Sequence, residues 1–154
     1  MKEKRKLYTV TGGECITLDE VCDPVFASRM VGDGYALVPE RGAESISVVS
    51  PVNGRVTGVT EGSHAYSIET EGGDEILVHI GIDTVELKGE GISCKVKKGD
   101  NVKVGDLLAK VEAQRIRDRG YDLTVPVVIS NLPEGEAVTV FEGHVPVGTL
   151  AAEY

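Results

Sequence analysis

The chain has 154 residues, 41% hydrophobic content, 19 glycines and no tryptophan. That length suits one domain with its own core, and the apolar content excludes a disordered chain. The first six residues, MKEKRK, carry a net +3, which leaves −12 on the rest of a chain whose total is −9; an acidic body excludes a nucleic-acid footprint and fits either solubility alone or steering toward a basic protein partner.

In chain order, residues 1–9 read as a basic tail or linker remnant, and residues 10–154 as one domain. No apolar stretch follows the N-terminal charges, so the start is not a signal peptide, and no window reaches transmembrane length. Cys15, Cys22 and Cys94 are odd in number and lack C-x-x-C spacing. Reduced thiols fit them better than a disulfide framework, and the expected compartment is the cytoplasm. Short β-type runs then follow one another: "CITL", "YALVP", "SISVVSP", "GRVTGV", "AYSIET", "EILVHIGI", "CKV", "NVKV", "LLAKV", "VPVVISN", "AVTVFEG" and "VGTLA". Turn residues such as Asn53-Gly54, Gly72-Gly73, Gly99-Asp100 and Pro133-Glu134-Gly135 separate them. About a dozen strands at this spacing predict an all-β sandwich or barrel.

Two short helices interrupt the strands. "DPVFASRM" offers Asp23 as N-cap and Pro24 at the first helical position. "EAQRIRDRG", 112–120, holds good helix formers and stops at Gly120, a C′ residue. No strict repeat is present; the looser recurrence of "TGGECITL", "VNGRVTGV" and "KKGDNVKVGD" hints at a doubled β unit.

Candidate chemistry centres on His64 and His79; His144, near a turn at the end of the chain, reads as a surface residue. "AYSIETEGGDEILVHI" predicts a hairpin closed by a two-residue type I′ turn at Gly72-Gly73. That register places Ile68 opposite Leu77, Tyr66 opposite His79 and His64 opposite Gly81. The two histidines then share one face as diagonal neighbours, roughly 7–8 Å apart at the backbone. Gly81, without a side chain, leaves room beside the rings. Ile76, Val78, Ile80 and Ile82 form the opposite, core face. Three readings of the pair stay open on geometry. The histidines can be structural, can be part of a zinc site that lacks a third ligand in sequence, or can be a nucleophile and its hydrogen-bonding helper. Attack on phosphorus would leave a phosphoramidate whose oxygens the second ring could bind.

"HIGIDTVELKGEG" resembles the signature around the active histidine of the glucose-type IIA domains of the bacterial phosphoenolpyruvate-dependent sugar phosphotransferase system. "DPVFASRMVGDGYAL", "SPVNGRV", "HAYSIET", "VKKGDNVKVGDLLAKV" and "PVVISN" resemble further segments of that family, in order, over residues 12–131. The resemblance implies an antiparallel β-sandwich or barrel of the duplicated-hybrid-motif type. It implies a phosphotransferase with no cofactor and no metal. His79 takes a phosphoryl group from phospho-HPr through Nε2 and passes it to a cysteine of a IIB domain on a membrane permease. His64 hydrogen-bonds the bound phosphoryl. Val25, Phe26, Met30 and Val31 match an apolar rim, with Leu77 beside them, and Asp23 and Asp83 match acidic positions that face an arginine of the donor.

Gly62 stands where the family often carries a threonine that orients the second histidine, so a water or a backbone carbonyl is the expected substitute. Thr60, Leu77 and Ile80 stand where phenylalanine can line the rim. Rival readings come from other classes. A biotinyl or lipoyl carrier would need a Met-Lys-Met-type hairpin, which Met1 and Met30 do not supply. A zinc peptidase would need an H-x-H pair, whereas Leu77 and Gly81 flank His79 at that spacing. A regulatory protein read out by phosphorylation state overlaps with the carrier reading.

Overall fold

A computed structural model describes residues 4–154. Its strands are Lys6–Tyr8 (β1), Gly13–Thr17 (β2), Asp33–Pro39 (β3), Ile46–Val49 (β4), Gly54–Val59 (β5), Ala65–Glu69 (β6), Glu75–His79 (β7), Ile92–Cys94 (β8), Asn101–Val102 (β9), Leu107–Val111 (β10), Val125–Ile129 (β11), Thr139–Val140 (β12), Gly143–Val145 (β13) and Leu150–Glu153 (β14). The pairings are antiparallel throughout. An eight-stranded sheet runs β13-β2-β3-β11-β7-β6-β5-β9, beside three-stranded sheets β1-β14-β12 and β4-β10-β8. All three sheets are open, so the fold is a sandwich and the barrel alternative falls away. Among the described residues no helix is long and apolar enough to cross a membrane.

Strand alternation gives the large sheet two apolar faces. Tyr35, Leu37, Tyr66, Ile68, Ile76, Val78, Val127 and Ile129 point into the main core with Leu7, Val48, Leu108 and Ala152 of the smaller sheets. Ile16, Ala36 and Val128, out of phase with these, form a second cluster on the other face with Leu18, Val21, Phe26 and Ile82. All five residues of β11 are buried, as a strand covered on both faces requires. The lid of the second cluster is the 3₁₀ turn Leu18–Glu20 and the helix Pro24–Ala27 (α1). Asp23 starts α1 as expected, its Oδ1 accepting from Val25 N at 2.8 Å. The second helix, Ala113–Asp118 (α2), also lies inside its predicted span, with Gly120 at φ +89 just beyond its C-cap.

The structure corrects the sequence reading in two places. The basic tail expected over residues 1–9 is fold from Arg5 onward, residues 1–3 lying outside the described residues. Lys6–Tyr8 pairs with β14, Leu7 is fully buried, and Arg5 donates to Asp74 Oδ1 at 2.8 Å and Glu136 Oε2 at 2.7 Å while stacking on Tyr154. The positive charges suggested a solvated tail, but the single Leu7 buries enough apolar surface to dock the segment. The hairpin register is also one residue off the prediction. Ala65 pairs with His79, Tyr66 with Val78 and Ile68 with Ile76. The loop has three residues: Gly73 N donates to Thr70 O at 3.0 Å and Thr70 N to Asp74 O at 2.9 Å. Gly73 takes φ +90 while Gly72 keeps an ordinary φ, which rules out the type I′ turn that needs both. Tyr66 therefore lies in the core.

Because Leu7 is a core residue of the first strand, Leu7→Ala is expected to cost roughly 2–5 kcal/mol in urea unfolding; a loss below about 0.5 kcal/mol would restore the tail reading.

Candidate functional site

β7 positions His79 by alternation: Ile76 and Val78 face the core, and Leu77 and His79 face the second cluster. Directly after His79 the strand ends, because Gly81 takes φ +79 and Asp83 φ +59. The reversal brings the Gly81 carbonyl to 2.6 Å from His79 Nδ1. A carbonyl only accepts, so Nδ1 carries the proton and donates. In the neutral ring Nε2 is then the nitrogen with a free lone pair.

Gly81 thus acts through its backbone, and the expected role of leaving room for the rings is corrected. A Cβ at this position would lie 2.4 Å from Thr84 Cγ2 and 3.1 Å from the Asp122 carbonyl, on top of the left-handed φ. Two contacts secure the loop. Thr84 Oγ1 donates to Ile80 O, and Ile82 N donates to Asp122 O at 2.9 Å.

His64 precedes β6 and is nine-tenths buried. In the observed register its carbonyl accepts from Ile80 N at 2.7 Å. Simple alternation would send its ring to the core with Ile80. Gly62 at φ +90 and Ser63 at φ +62 break that alternation and turn the ring to the face of His79. The ring centroids lie 5.3 Å apart with an interplanar angle of 70°. The predicted meeting of the histidines therefore holds, but through a kinked loop and not through the diagonal of a regular ladder. Phe26 contacts His79 from α1, with centroids 5.2 Å apart at 62°. The His79 ring is held edge-on between Phe26 and His64, a geometry that aromatic quadrupoles favour.

The orienting hydrogen bond expected from a water or a carbonyl comes from a side chain. Thr60 Oγ1 lies 3.2 Å from His64 Nδ1. Thr60 is exposed beside the ring, so this contact adds to its expected place at the rim. Ile80, in contrast, is corrected as a rim position, being fully buried in the main core. Strand alternation had already set Ile80 on the core face, but it could not show the Thr60 contact, because Thr60 reaches His64 across a turn.

The remaining predicted residues fall around the pair. Val25 and Met30 are exposed, Met30 at 78%, whereas Phe26 is buried; Val31 and Leu77 are half-buried against the second cluster. Asp23 spends one carboxylate oxygen on the α1 cap, and Asp83 is exposed at the head of the 3₁₀ turn Thr84–Leu87. Both carboxylates act on His79 through space, drawing its pKa upward. Burial outweighs them: desolvation is the largest influence and holds His79 below the usual 6.5, with the nearby His64 ring adding to the depression. Burial alone lowers His64. Burial thus disfavours the charged form of both rings. His144 lies on the surface as expected, its Nε2 donating to Glu40 Oε1 at 2.8 Å.

On an apolar face of the open β-sandwich two imidazoles thus meet edge to face, and the neutral form of one of them carries its proton on Nδ1 and leaves Nε2 without one. A sequence model of the family described as "phosphoenolpyruvate-dependent sugar phosphotransferase system, EIIA 1" matches residues 5–134. The glucose-specific EIIA component of Halalkalibacterium halodurans is 37% identical over 151 residues, covering 98% of this chain and 83% of the relative. The glucose-specific EIICBA component of Streptococcus pneumoniae is 41% identical over 148 residues, 96% of this chain but 19% of that longer protein. The solved glucose permease IIA from Mycoplasma capricolum superposes with a TM-score of 0.90 at 35% identity, covering 99% of this chain and 96% of that one. The chain belongs to the EIIA 1 family of the phosphoenolpyruvate-dependent sugar phosphotransferase system. It is a phosphocarrier of that system.

The depressed pKa values set the sign of a pH dependence. The unfolded chain binds protons at both histidines near pH 6.5, and the folded chain binds them only at lower pH. Stability is therefore full above pH 6.5 and falls as the pH drops below it. NMR titration is expected to give midpoints below 6.5 for both rings, and a midpoint above 6.5 for His79 would overturn the burial argument. Gly81→Ala is expected to displace the carbonyl from Nδ1, at a cost of roughly 1–3 kcal/mol in stability from the left-handed φ, before the clash with Thr84 is counted.

Proposed function

We propose that His79 is the phosphoacceptor and His64 its hydrogen-bonding helper, in a relay from phospho-HPr to a cysteine of a IIB domain. The observation that carries this reading is the His79 Nδ1–H donation to the Gly81 carbonyl, which frees Nε2. The Nε2 lone pair attacks phosphorus. As the N–P bond forms, the bond from phosphorus to the donor breaks, and its electron pair stays with the donor. In the second step a IIB thiolate attacks the same phosphorus, and the N–P electron pair returns to Nε2. The Gly81 carbonyl faces Nδ1–H in both steps, and it stabilises the positive character that phosphorylation puts on the ring. His64, presenting an N–H, offsets charge on the phosphoryl oxygens in a partly dehydrated setting, where a hydrogen bond is stronger than in water.

The neighbouring surface supports alternating partners. Exposed Val25 and Met30, with half-buried Val31 and Leu77 and buried Phe26, offer one apolar face beside the histidines. One face for donor and acceptor means that the two bind in turn. Asp23 and Asp83 supply negative charge at its edge, suited to an arginine on the donor and acting more on encounter rate than on affinity. The EIICBA relative carries this domain's counterpart in a chain of about five times the length, consistent with a permease partner at the cytoplasmic membrane. A regulatory protein read out by phosphorylation state would use the same site and the same chemistry.

Incubation with phosphoenolpyruvate, Enzyme I and HPr is expected to add one acid-labile phosphoryl group by intact mass, and His79→Ala to abolish it. His64→Ala is expected to retain acceptance and lose transfer to IIB. Acceptance lost in His64→Ala and kept in His79→Ala would reverse the roles.

A further inference from the structure

The loop between β5 and β6 reads "TEGSH", and its backbone is tightly wound. Ser63 N donates to Thr60 O at 2.9 Å, and Thr60 N donates to Ala65 O at 3.0 Å. Consecutive left-handed residues, Gly62 at φ +90 and Ser63 at φ +62, make the winding possible. The fold of the loop lays the Thr60 hydroxyl on His64. Oγ1 accepts from Ala65 N at 3.0 Å, stands 3.2 Å from His64 Nδ1 and stands 3.3 Å from the Ala65 carbonyl.

That hydroxyl has one proton and two places to put it. When it donates to His64 Nδ1, the imidazole proton must sit on Nε2. When it donates to the Ala65 carbonyl, its remaining lone pair accepts from an Nδ1–H. The first arrangement gives a neutral His64 with an Nε2–H donor. The second serves a ring protonated on Nδ1, either a neutral His64 of the other tautomer or a charged His64 in which both nitrogens carry protons. Neither arrangement leaves the hydroxyl or the ring nitrogen unpaired, so the ring need not rotate as its proton count changes.

We propose that Thr60 is a positioning residue for the relay: its hydroxyl donates to His64 Nδ1, fixes the Nε2–H tautomer, and so keeps a donor available for the phosphoryl group on His79. The proposal rests on the roles assigned above to His64 and His79, and it deepens them. In this chain Thr60 is the place from which a hydroxyl can act. A side chain at position 62 would have to adopt φ +90, with its Cβ 3.3 Å from Gly89 N.

The test uses ¹⁵N-labelled full-length protein above the titration of both rings, with long-range ¹H–¹⁵N correlation of the His64 ring nitrogens. The wild type is expected to show His64 chiefly as the Nε2–H tautomer. Thr60→Ser keeps the hydroxyl and is expected to keep the tautomer, while Thr60→Val is expected to give a mixture. In the phosphotransfer assay Thr60→Val is expected to accept from phospho-HPr near the wild-type rate. Its onward transfer to IIB is expected to slow by roughly three- to tenfold, the worth of one hydrogen bond, with Thr60→Ser restoring it. A wild-type His64 in the Nδ1–H form overturns the proposal without any variant, even should Thr60→Val fail to fold. So does a Thr60→Val protein whose tautomer and onward rate are unchanged. A wild-type protein that shows the tautomer but takes no phosphoryl group would overturn the relay and leave the Thr60–His64 lock standing.

Discussion

The Gly81 carbonyl against His79 Nδ1 is the contact on which the rest of the site depends. It fixes the tautomer, and the tautomer decides which nitrogen is free to react. The contact exists only because the chain reverses within two residues of the ring. Gly81 permits the reversal, Thr84 and the Asp122 carbonyl hold it, and no other residue type fits the space. A backbone acceptor has an advantage over a carboxylate here. It orients the ring without contributing a full charge, and although it draws the His79 pKa upward, burial outweighs it.

Packing on both faces of one sheet supplies that burial. The inner face joins the main core, and the outer face carries a smaller cluster covered by α1 and the 3₁₀ turn before it. His79 stands at the margin of the outer cluster, against Phe26. Apolar neighbours thus serve two ends at once. They depress the histidine pKa, and they leave an apolar face, with Val25 and Met30 exposed, beside the rings. Acidic groups at the edge work against the pKa depression but do not overcome it. The acidity of the chain as a whole is therefore compatible with a His79 ring whose pKa burial holds down.

Much of the site was legible in the sequence. Alternation in "ILVHI" set His79 apart from the core residues, and Asp23-Pro24 marked the start of α1. The hairpin after "AYSIET" brought His64 and His79 to one another. The reason given for that meeting was nonetheless wrong, since a Gly-Gly pair admits both a two-residue and a three-residue loop. The choice between them depends on Thr70, whose hydroxyl accepts from Asp74 N at 3.1 Å and favours the longer turn. The docking of Lys6–Tyr8 was hidden in the same way, because one leucine among basic residues carries no pattern.

What the sequence determined by itself is the order of the strands from β2 onward, the start of α1 and the stop of α2, and much of the membership of the core. These follow from local rules of alternation, capping and turn chemistry, and from the likeness of whole segments to a known family. Only the tertiary structure decided which atoms serve the two histidines. The acceptor for His79 Nδ1 is a backbone carbonyl, which no residue letter encodes. The partner of His64 Nδ1 is Thr60, four residues away across two left-handed positions. Hydrogen bonds of this kind depend on φ values and on distances of a few tenths of an ångström, and those emerge only when the loops are closed against the packed sheets.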